Sequence, residues 1–265
     1  MIDYSGYEDL LIEKDKGVMT ITLNTPQTMN AFSPAMHHGM SRIWTDIHDD
    51  PEVDVVVLTG AGRAFSAGGD IGWMQEMIDD KRVWERTRVE GKRIVFGLLD
   101  CEKPVVCRLN GPAMGLGATI ALFCDTIFMA ESAIIADPHV SVGLVAGDGG
   151  AIIWPQLVGY ARAKEFLMTG DRLTAEQAAA MGLVNHAVPD DELDERVYAF
   201  ADRLTKGAIR AIQYSKISVN IGLKQLAHSI MDTSIAYESI TNYSDDHQEA
   251  VNAFREKRKP SFTGQ

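Results

Sequence analysis

Two glycine-containing loops, each running from a short apolar strand into a helix, place the strongest constraint on how this chain folds. The first, residues 64–70 (AFSAGGD), follows the β-branched run of residues 53–59. The second, residues 110–117 (NGPAMGLG), follows the apolar residues 105–109. N–H groups at a helix start have no intrahelical partner, and glycine lets a ligand approach the backbone closely. Two such loops side by side predict paired N–H donors aimed at one oxygen, an oxyanion hole.

Phosphate binding is the competing interpretation of these loops. The chain has no GxxxxGK[ST] sequence, and neither loop has the GxGxxG spacing of a dinucleotide fold. A purely structural alternative also remains, in which the glycines only permit two tight turns. The loops therefore favour an oxyanion hole over a nucleotide site.

Composition and charge narrow the class of protein. The 265 residues are 46% hydrophobic and 23% charged, as is typical of globular proteins. The net charge of −12 argues against general nucleic-acid binding, which needs a basic surface. The acidic N-terminal segment does not resemble a secretory signal, and no stretch reaches the ~18 apolar residues of a bilayer span. Three cysteines without metal-ligand spacing indicate reduced thiols. We expect a cytoplasmic protein with no metal site and no membrane or nucleic-acid partner.

Hydrophobic periodicity predicts an α/β fold. The predicted strands are residues 10–14, 18–23, 53–59, 105–109, 126–129, 133–135 and 185–188. The predicted helices are residues 34–49, 71–100, 118–124, 150–158, 161–169, 175–181 and 190–205, followed by two long C-terminal segments. Strands, a glycine-rich loop and a helix recur in the first half, whereas the second half is mostly helical. This order indicates stacked ββα units followed by a helical C-terminal region.

Five segments of the chain, in order, resemble the crotonase (enoyl-CoA hydratase/isomerase) superfamily. They are LNTPQTMNAFS (23–33), GRAFSAGGDI (62–71), NGPAMGLGATIALFCD (110–125), GDRLTAEQAAAMGLVNHAV (170–188) and AFREKRKPSFTG (253–264). The resemblance implies a crotonase-like spiral core of ββα units, residues 1–200. It also implies a helical region, residues 201–265, that covers coenzyme A (CoA) and forms trimers. The expected substrate is an acyl-CoA thioester, with CoA as part of the substrate and no separate cofactor. The expected assembly is a homotrimer or a dimer of trimers.

The same resemblance implies roles for individual residues. It assigns the two oxyanion donors to the backbone N–H groups of Ala67 and Leu116. The residues implied to contact CoA are Ser66, Gly68, Asp70 and Ile71 along its channel, Met29 and Ala31 beside the adenine, and Phe254 and Lys257 reaching a neighbouring subunit's CoA. The one dense basic run, residues 255–259, fits a ligand that carries phosphates. A solvated helix end is the alternative interpretation of that run.

Both glutamates that hydratases of this family use are absent from the chain. The matching positions hold Thr119 and His139. Because hydration needs a base for water and an acid for the α-carbon, the hydratase mechanism does not transfer. Asp148 follows His139 by nine residues, and glycines at positions 143, 147, 149 and 150 let the chain fold back. A His–Asp contact would fix the imidazole tautomer, and the alternatives are a structural turn histidine and an aspartate that caps a helix.

The pair of His139 and Asp148 is similar to that of the 6-oxocamphor and β-diketone hydrolases, a branch that cleaves C–C bonds by a retro-Claisen reaction without CoA. In that branch a C-terminal glutamate contributes, and Glu238 is the matching candidate. A further histidine of the branch would fall at Leu116, which is apolar. The family's isomerases place a carboxylate within one residue of Asp148. Three functions stay open: an enoyl-CoA hydratase/isomerase-type lyase or isomerase, a C–C hydrolase of a β-diketone or β-ketoacyl substrate, and a non-catalytic acyl-CoA binder.

Overall fold

A β-hairpin forms one edge of the main sheet. In the computed structural model, which describes residues 2–265, β1 (Leu10–Asp15) pairs antiparallel with β2 (Val18–Leu23). Lys16 and Gly17 make the turn with φ of 49° and 84°, a conformation that glycine adopts without strain. Alternate residues of β2 point into the core, as the sequence pattern predicts for a strand with one buried face.

Parallel strands make up the rest of the main sheet. They are β3 (Val55–Gly60), β4 (Val105–Leu109), β6 (Thr126–Ala130) and β9 (His186–Val188). The strand order is β1-β2-β3-β4-β6-β9, and all pairs after the hairpin are parallel. Every residue of β3 is buried, as expected for a strand covered on both faces. Since β3 and β4 are parallel neighbours, the two glycine-containing loops leave the same edge of the sheet.

A second, three-stranded sheet starts inside the second loop. It consists of β5 (Ala113–Met114), β7 (Ile134–Ala136) and β8 (Leu173–Thr174). β5 and β7 are parallel, and the Gly115 N–H donates to the Ala136 carbonyl at 3.1 Å. The chain that leaves β7 therefore enters the region beside the second loop.

Eleven helices within residues 2–265 pack around the sheets. They are α1 (Pro34–Met40), α2 (Ile43–Asp49), α3 (Ile71–Asp79), α4 (Lys81–Asp100), α5 (Leu116–Leu122), α6 (Gly150–Val158), α7 (Tyr160–Thr169), α8 (Ala175–Ala180), α9 (Leu193–Thr205), α10 (Ile209–Asn242) and α11 (Asp245–Arg255). The predicted helix 34–49 is two helices, and the predicted helix 71–100 is broken at Asp80, which caps α4 by accepting from the Arg82 N–H. The predicted α/β class with a helical C-terminal region is confirmed. The predicted division between residues 200 and 201 falls inside α9 and stays a prediction.

One hydrophobic core contains residues from both halves of the chain. Trp44, Phe65 and Trp154 are among its largest enclosed side chains, and Met231 of α10 joins the same cluster. The three cysteine thiols are free and buried. Among the described residues, no helix has the length and apolar character needed to cross a bilayer.

Candidate active site

The two glycine-containing loops lie side by side where β3 and β4 end. Ser66 and Ala113 form an isolated parallel bridge, in which the Ser66 N–H donates to the Pro112 carbonyl and the Met114 N–H donates to the Ser66 carbonyl, both at 3.0 Å. Gly68 has φ of 92°, and a Cβ there would lie 3.0 Å from the Met114 carbonyl oxygen. The predicted juxtaposition of the loops is therefore confirmed, and it requires a residue without a side chain at position 68.

Ser66 joins the first loop to the segment before α1. Its hydroxyl donates to the Asn30 carbonyl at 2.7 Å and accepts from the Gly68 N–H at 3.2 Å. Asn30 in turn donates from Nδ2 to the carbonyls of Ala61 and Ala64, both at 2.9 Å. Ser66 and Asn30 have no exposed surface. These hydrogen bonds fix the loop, and the predicted place of Ser66 along the CoA channel stays a prediction.

The fold uses the N–H group of Ala67 and leaves that of Gly69 free. The Ala67 N–H donates to the Met29 carbonyl at 2.9 Å, which conflicts with its predicted role as an oxyanion donor. Gly69 forms a parallel bridge with Phe32, in which the flanking residues 68 and 70 make the hydrogen bonds. The Gly69 N–H points away from that bridge and has no acceptor anywhere in the described chain. Sequence reasoning missed this donor, although it belongs to the second of two adjacent glycines.

Leu116 supplies an unpaired N–H on the second loop. It is the first residue of α5, and Gly115 before it has φ of 52° and no capping side chain. The Leu116 N–H has no acceptor among residues 2–265, as expected for the first residue of a helix. The position and free N–H agree with the sequence analysis, whereas its role toward a substrate stays a prediction.

The imidazole of His139 lies against the second loop. A Cβ placed on Gly115 would lie 3.5 Å from Cε1 and 3.8 Å from Nε2 of His139. His139 begins the 3₁₀ turn His139–Val142, which follows β7. Its Nε2 is 3.5 Å from Oδ2 of Asp148, and its Nδ1 forms a hydrogen bond with Oδ1 of Asp137. The ring therefore lies between two carboxylates, beside the start of α5.

Asp148 and Glu238 complete the polar cluster. Thr119 donates from its hydroxyl to Oδ1 of Asp148 at 3.3 Å. The N-cap residue of α6 is Gly149, and the backbone N–H of Gly150, the first residue of that helix, interacts with the Asp148 carboxylate. The alternative prediction that Asp148 caps α6 therefore stays a prediction. Glu238, on α10, is 7% exposed, and a Cβ on Gly147 would lie 2.6 Å from its Oε2. The structure thus brings the predicted residues His139, Asp148 and Glu238 into one region.

Burial and mutual charge shift the titration of this cluster. Burial opposes a charged ring, but the carboxylates of Asp137 and Asp148 outweigh it and raise the pKa of His139 well above its ordinary value. Burial raises the pKa of Asp148, against the opposing charge of His139. Burial, reinforced by the charge of Asp148, raises the pKa of Glu238 well above its ordinary value. These shifts favour the charged imidazole of His139 and the protonated carboxyl of Glu238.

Asp137 is a site residue that sequence reasoning did not identify. It has no exposed surface, and its Oδ2 has no hydrogen-bond partner within the described part of the chain. Gly150 packs so closely that a Cβ there would lie 2.2 Å from this oxygen. The only indication in the sequence is an acidic residue two positions before His139.

Most residues predicted to contact CoA lie near the first loop. Met29 is 37% exposed, and its carbonyl accepts the Ala67 N–H described above. Ala31 lies next to Phe32, which bridges to Gly69. Asp70 caps α3 by accepting from the Trp73 N–H at 3.0 Å, and Ile71 is the first residue of that helix. Their contacts with CoA stay predictions.

The remaining predicted CoA contacts lie at the C-terminal end of α11. Phe254 is 64% exposed, and Lys257 has φ of 55°. Arg255 donates to Oε1 of Gln75 at 3.1 Å, which attaches this end of α11 to α3. Arg258 pairs with Glu249 and lowers the pKa of that carboxyl to about 2. Part of the basic run is therefore engaged in contacts within the chain.

Comparisons with known proteins show the family and the fold of this chain. The chain matches the family model of enoyl-CoA hydratase/isomerase over residues 13–265. It is 32% identical over 265 residues to crotonyl-CoA hydratase of Syntrophomonas wolfei, covering 97% of this chain and 98% of that protein. An enoyl-CoA hydratase/isomerase structure from Mycobacterium paratuberculosis matches with a TM-score of 0.91 and 36% identity, covering 94% and 99% of the two chains. ABDH, a β-diketone hydrolase from Anabaena sp. PCC 7120 bound to (S)-3-oxocyclohexyl acetic acid, matches with a TM-score of 0.84 and 32% identity, covering 91% and 96%.

Proposed function

Because the chain belongs to the enoyl-CoA hydratase/isomerase family, we propose that it is an enzyme that binds an acyl-CoA thioester and stabilises the enolate of its acyl group. The proposed oxyanion donors are the N–H groups of Gly69 and Leu116, with Gly69 replacing Ala67. Their support is that both belong to adjoining loops and have no acceptor among the described residues. Removing one such donor typically slows catalysis about 10²- to 10³-fold.

His139 and Asp148 are the proposed proton-transfer groups. The observation that carries this proposal is the contact of the His139 ring with Gly115, which immediately precedes Leu116. The ring is therefore beside the position where a bound thioester oxygen would meet the Leu116 N–H. Thr119, which the family resemblance matches to a hydratase glutamate, donates from its hydroxyl to Asp148, and a hydroxyl in this state is no base. We infer lyase or isomerase chemistry in which protons move at or next to the α-carbon.

The CoA part of the substrate follows the first loop in this proposal. Exposed Met29 would contact the adenine, together with Ala31, while Gly68, Asp70 and Ile71 are the residues proposed to line the path toward the acyl group; the exposure of Met29 supports this placement. Phe254 and Lys257 would reach the CoA of a neighbouring subunit. CoA enters as part of the substrate, and we propose no separate cofactor.

We propose a homotrimer or a dimer of trimers in the cytoplasm. Large apolar side chains exposed on α10 support association of subunits. They are Tyr214, Val219, Ile221, Tyr237 and Ile240. The three free, buried thiols are consistent with a reducing compartment.

C–C bond hydrolysis of a β-diketone or β-ketoacyl substrate is the second candidate. The arrangement of His139, Asp148 and Glu238 favours it, and so does the likeness to ABDH. In this reaction water adds to one carbonyl, the bond between that carbonyl and the α-carbon breaks, and the released enolate is protonated on carbon. The apolar Leu116 weighs against this reaction, because a histidine of that branch would fall at this position.

Kinetics of His139→Gln and of a matched control test these proposals. The substrates are crotonyl-CoA, longer 2-enoyl- and 3-enoyl-CoA thioesters, and a CoA-free cyclic 1,3-diketone. We expect His139→Gln to lower kcat/KM for a thioester at least ~100-fold, the usual contribution of acid–base catalysis. The exposed His228→Gln should leave kcat/KM within about threefold of the wild-type value, since surface substitutions have small effects.

The other outcomes distinguish the remaining functions. Thioester turnover that survives His139→Gln would exclude His139 as a proton-transfer group. Cleavage of the diketone without thioester turnover would establish the hydrolase. Tight binding of CoA thioesters with no turnover of any substrate would indicate a non-catalytic binder.

A further inference from the structure

Asp137 is a buried carboxylate whose side chain has one hydrogen-bonded partner. Its Oδ1 meets Nδ1 of His139, its Oδ2 has no partner in the described chain, and the residue has no exposed surface. A carboxylate removed from water is costly unless an opposite charge and hydrogen bonds compensate it. The imidazole of His139 is the group placed to supply that compensation.

The contact with Asp137 defines the proton on one ring nitrogen. Because a carboxylate only accepts hydrogen bonds, Nδ1 of His139 must carry a proton. The other nitrogen, Nε2, faces Oδ2 of Asp148 at 3.5 Å. A proton on Nε2 would point toward that second negative charge. Carboxylates at both nitrogens thus stabilise the doubly protonated ring.

The other titratable groups that face His139 do not cancel this effect. Glu238, on α10, lies in surroundings that keep its proton on, because burial raises its pKa well above the ordinary value. His247, on α11, donates from Nδ1 to the Val142 carbonyl at 2.6 Å, and burial lowers the pKa of its ring. Burial therefore favours the neutral form of both groups. The charges that decide the state of the His139 ring are those of Asp137 and Asp148.

We propose that Asp137 is a positioning residue that holds His139 doubly protonated, so that the proton His139 gives to the substrate is already on Nε2 when the substrate binds. This assignment rests on the proposed function and specifies which group donates a proton and which group accepts one. The Nε2–H bond breaks and a C–H bond forms at the enolate α-carbon, which restores the thioester carbonyl and leaves a neutral product and a neutral ring that keeps its Nδ1 proton. Asp148 then returns to Nε2 a proton that it has taken from the substrate or from water. His139 is accordingly the acid of the site and Asp148 the base.

Nitrogen NMR of the ligand-free protein tests the assignment without any substrate. The full-length chain is labelled with 15N-histidine, and His139→Gln identifies the ring signals by their loss. At pH 7.5 we expect both nitrogens of His139 to carry protons. In Asp137→Asn, whose amide oxygen still accepts from Nδ1, the ring should titrate about 1 to 3 pH units lower, the usual effect of one adjacent charge.

The NMR result does not depend on whether the proposed function is correct. A His139 ring that is singly protonated in the wild-type protein at pH 7.5 would overturn the proposal, even if Asp137→Asn failed to fold. A doubly protonated ring that titrates at the same pH in Asp137→Asn would also overturn it. Since no turnover is measured, failure of the proposed function would leave these signals unchanged.

The pH profile of kcat provides the second readout. An acid must be protonated to act, so activity should fall as pH rises through the titration of His139. In Asp137→Asn this alkaline limb should move to lower pH by about 1 to 3 pH units as well, and Asp137→Glu should restore part of the difference. A uniform loss of kcat at every pH, with the limb unmoved and both variants melting like the wild type, would show that Asp137 only holds the turn.

Discussion

His139 lies between two buried carboxylates, and its positive charge compensates their negative charges. A single substitution in this cluster therefore changes the protonation of the remaining groups. Asp137 is fully enclosed and Asp148 lies nearby, so loss of the ring would leave two like charges close together in a poorly solvated region. One of them would then take up a proton, since uncompensated buried charge is costly. The residues of the site therefore titrate as a group.

Glu238→Gln should make the folded protein less sensitive to high pH. Burial raises the pKa of Glu238 well above its ordinary value, so the folded chain holds a proton that the unfolded chain releases above about pH 4.3. The free energy of unfolding then falls by about 1.4 kcal/mol per pH unit, as pH rises from that value toward the pKa of Glu238 in the folded protein. Glutamine has the same shape and no charge. We expect little change at pH 5 and higher stability than the wild type at pH 8.

Urea denaturation of both proteins at pH 5 and pH 8 checks this expectation. Glu131→Gln, at an exposed turn, is the matched control and should change stability equally at both pH values. A Glu238→Gln protein destabilised by the same amount at pH 5 and pH 8 would contradict the raised pKa and indicate lost packing instead.

At the level of elements, the two loops are held together by backbone contacts that only glycine permits. Gly111 packs on the first loop, where a Cβ would lie 2.2 Å from the Arg63 carbonyl oxygen. Gly117, at the start of α5, packs on Ser66. The distance between the Gly69 and Leu116 N–H groups therefore depends on small residues in both loops.

Gly117→Ala should separate the two loops and impair the site. A Cβ at this position would lie 2.7 Å from Cβ and 2.9 Å from Oγ of Ser66, and the hydrogen bonds of Ser66 prevent it from moving away. Overpacking of this kind usually costs about 1–3 kcal/mol. We expect kcat/KM to fall by more than tenfold in a protein that still folds. Wild-type kinetics in the variant would show that loop spacing does not limit catalysis.

Gly91→Ala in α4 should stabilise the protein. A Cβ at Gly91 would meet nothing within 4 Å outside its own helix, and the residue lies in the middle of a 20-residue helix. Alanine is about 0.8–1.0 kcal/mol better than glycine at such a position. Thermal unfolding should show a higher Tm with kcat/KM unchanged. A lower Tm would mean that this part of α4 packs against another surface.

The sequence predicts helices, strands and loops well where the contacts that determine them are between residues close in the chain. The hairpin of β1 and β2 and the loops after β3 and β4 follow from alternation and glycine placement. The free N–H of Gly69 depends instead on Met29 and Phe32, which are distant in sequence and engage the neighbouring residues of the loop. The family resemblance, which contains none of these contacts, placed the donor at Ala67 instead. Asp137 was missed for a related reason, since its contact with His139 arises from the turn after β7.

At the level of the whole molecule, the site is assembled from distant segments. β7 delivers His139, the loop before α6 delivers Asp148, and α10 delivers Glu238. Trp84 of α4 donates to Oγ of Ser239 at 2.8 Å, which holds α10 in place one residue beyond Glu238. The helical C-terminal region therefore contributes to the site within a single chain.

The association of subunits can be tested through α10, where Val219 is 78% exposed. We expect the wild-type protein to have about three or six times the 29.1 kDa chain mass by light scattering, and Val219→Glu to dissociate it, because a charge buried in an interface is costly. Leu11→Glu, on β1, is the exposed apolar control and should leave the mass unchanged.

If a neighbour's Phe254 and Lys257 contact CoA, dissociation should raise KM for acyl-CoA but not for the same acyl group on a short N-acetylcysteamine thioester. A wild-type mass of one chain, or equal KM effects on both thioesters, would contradict this arrangement.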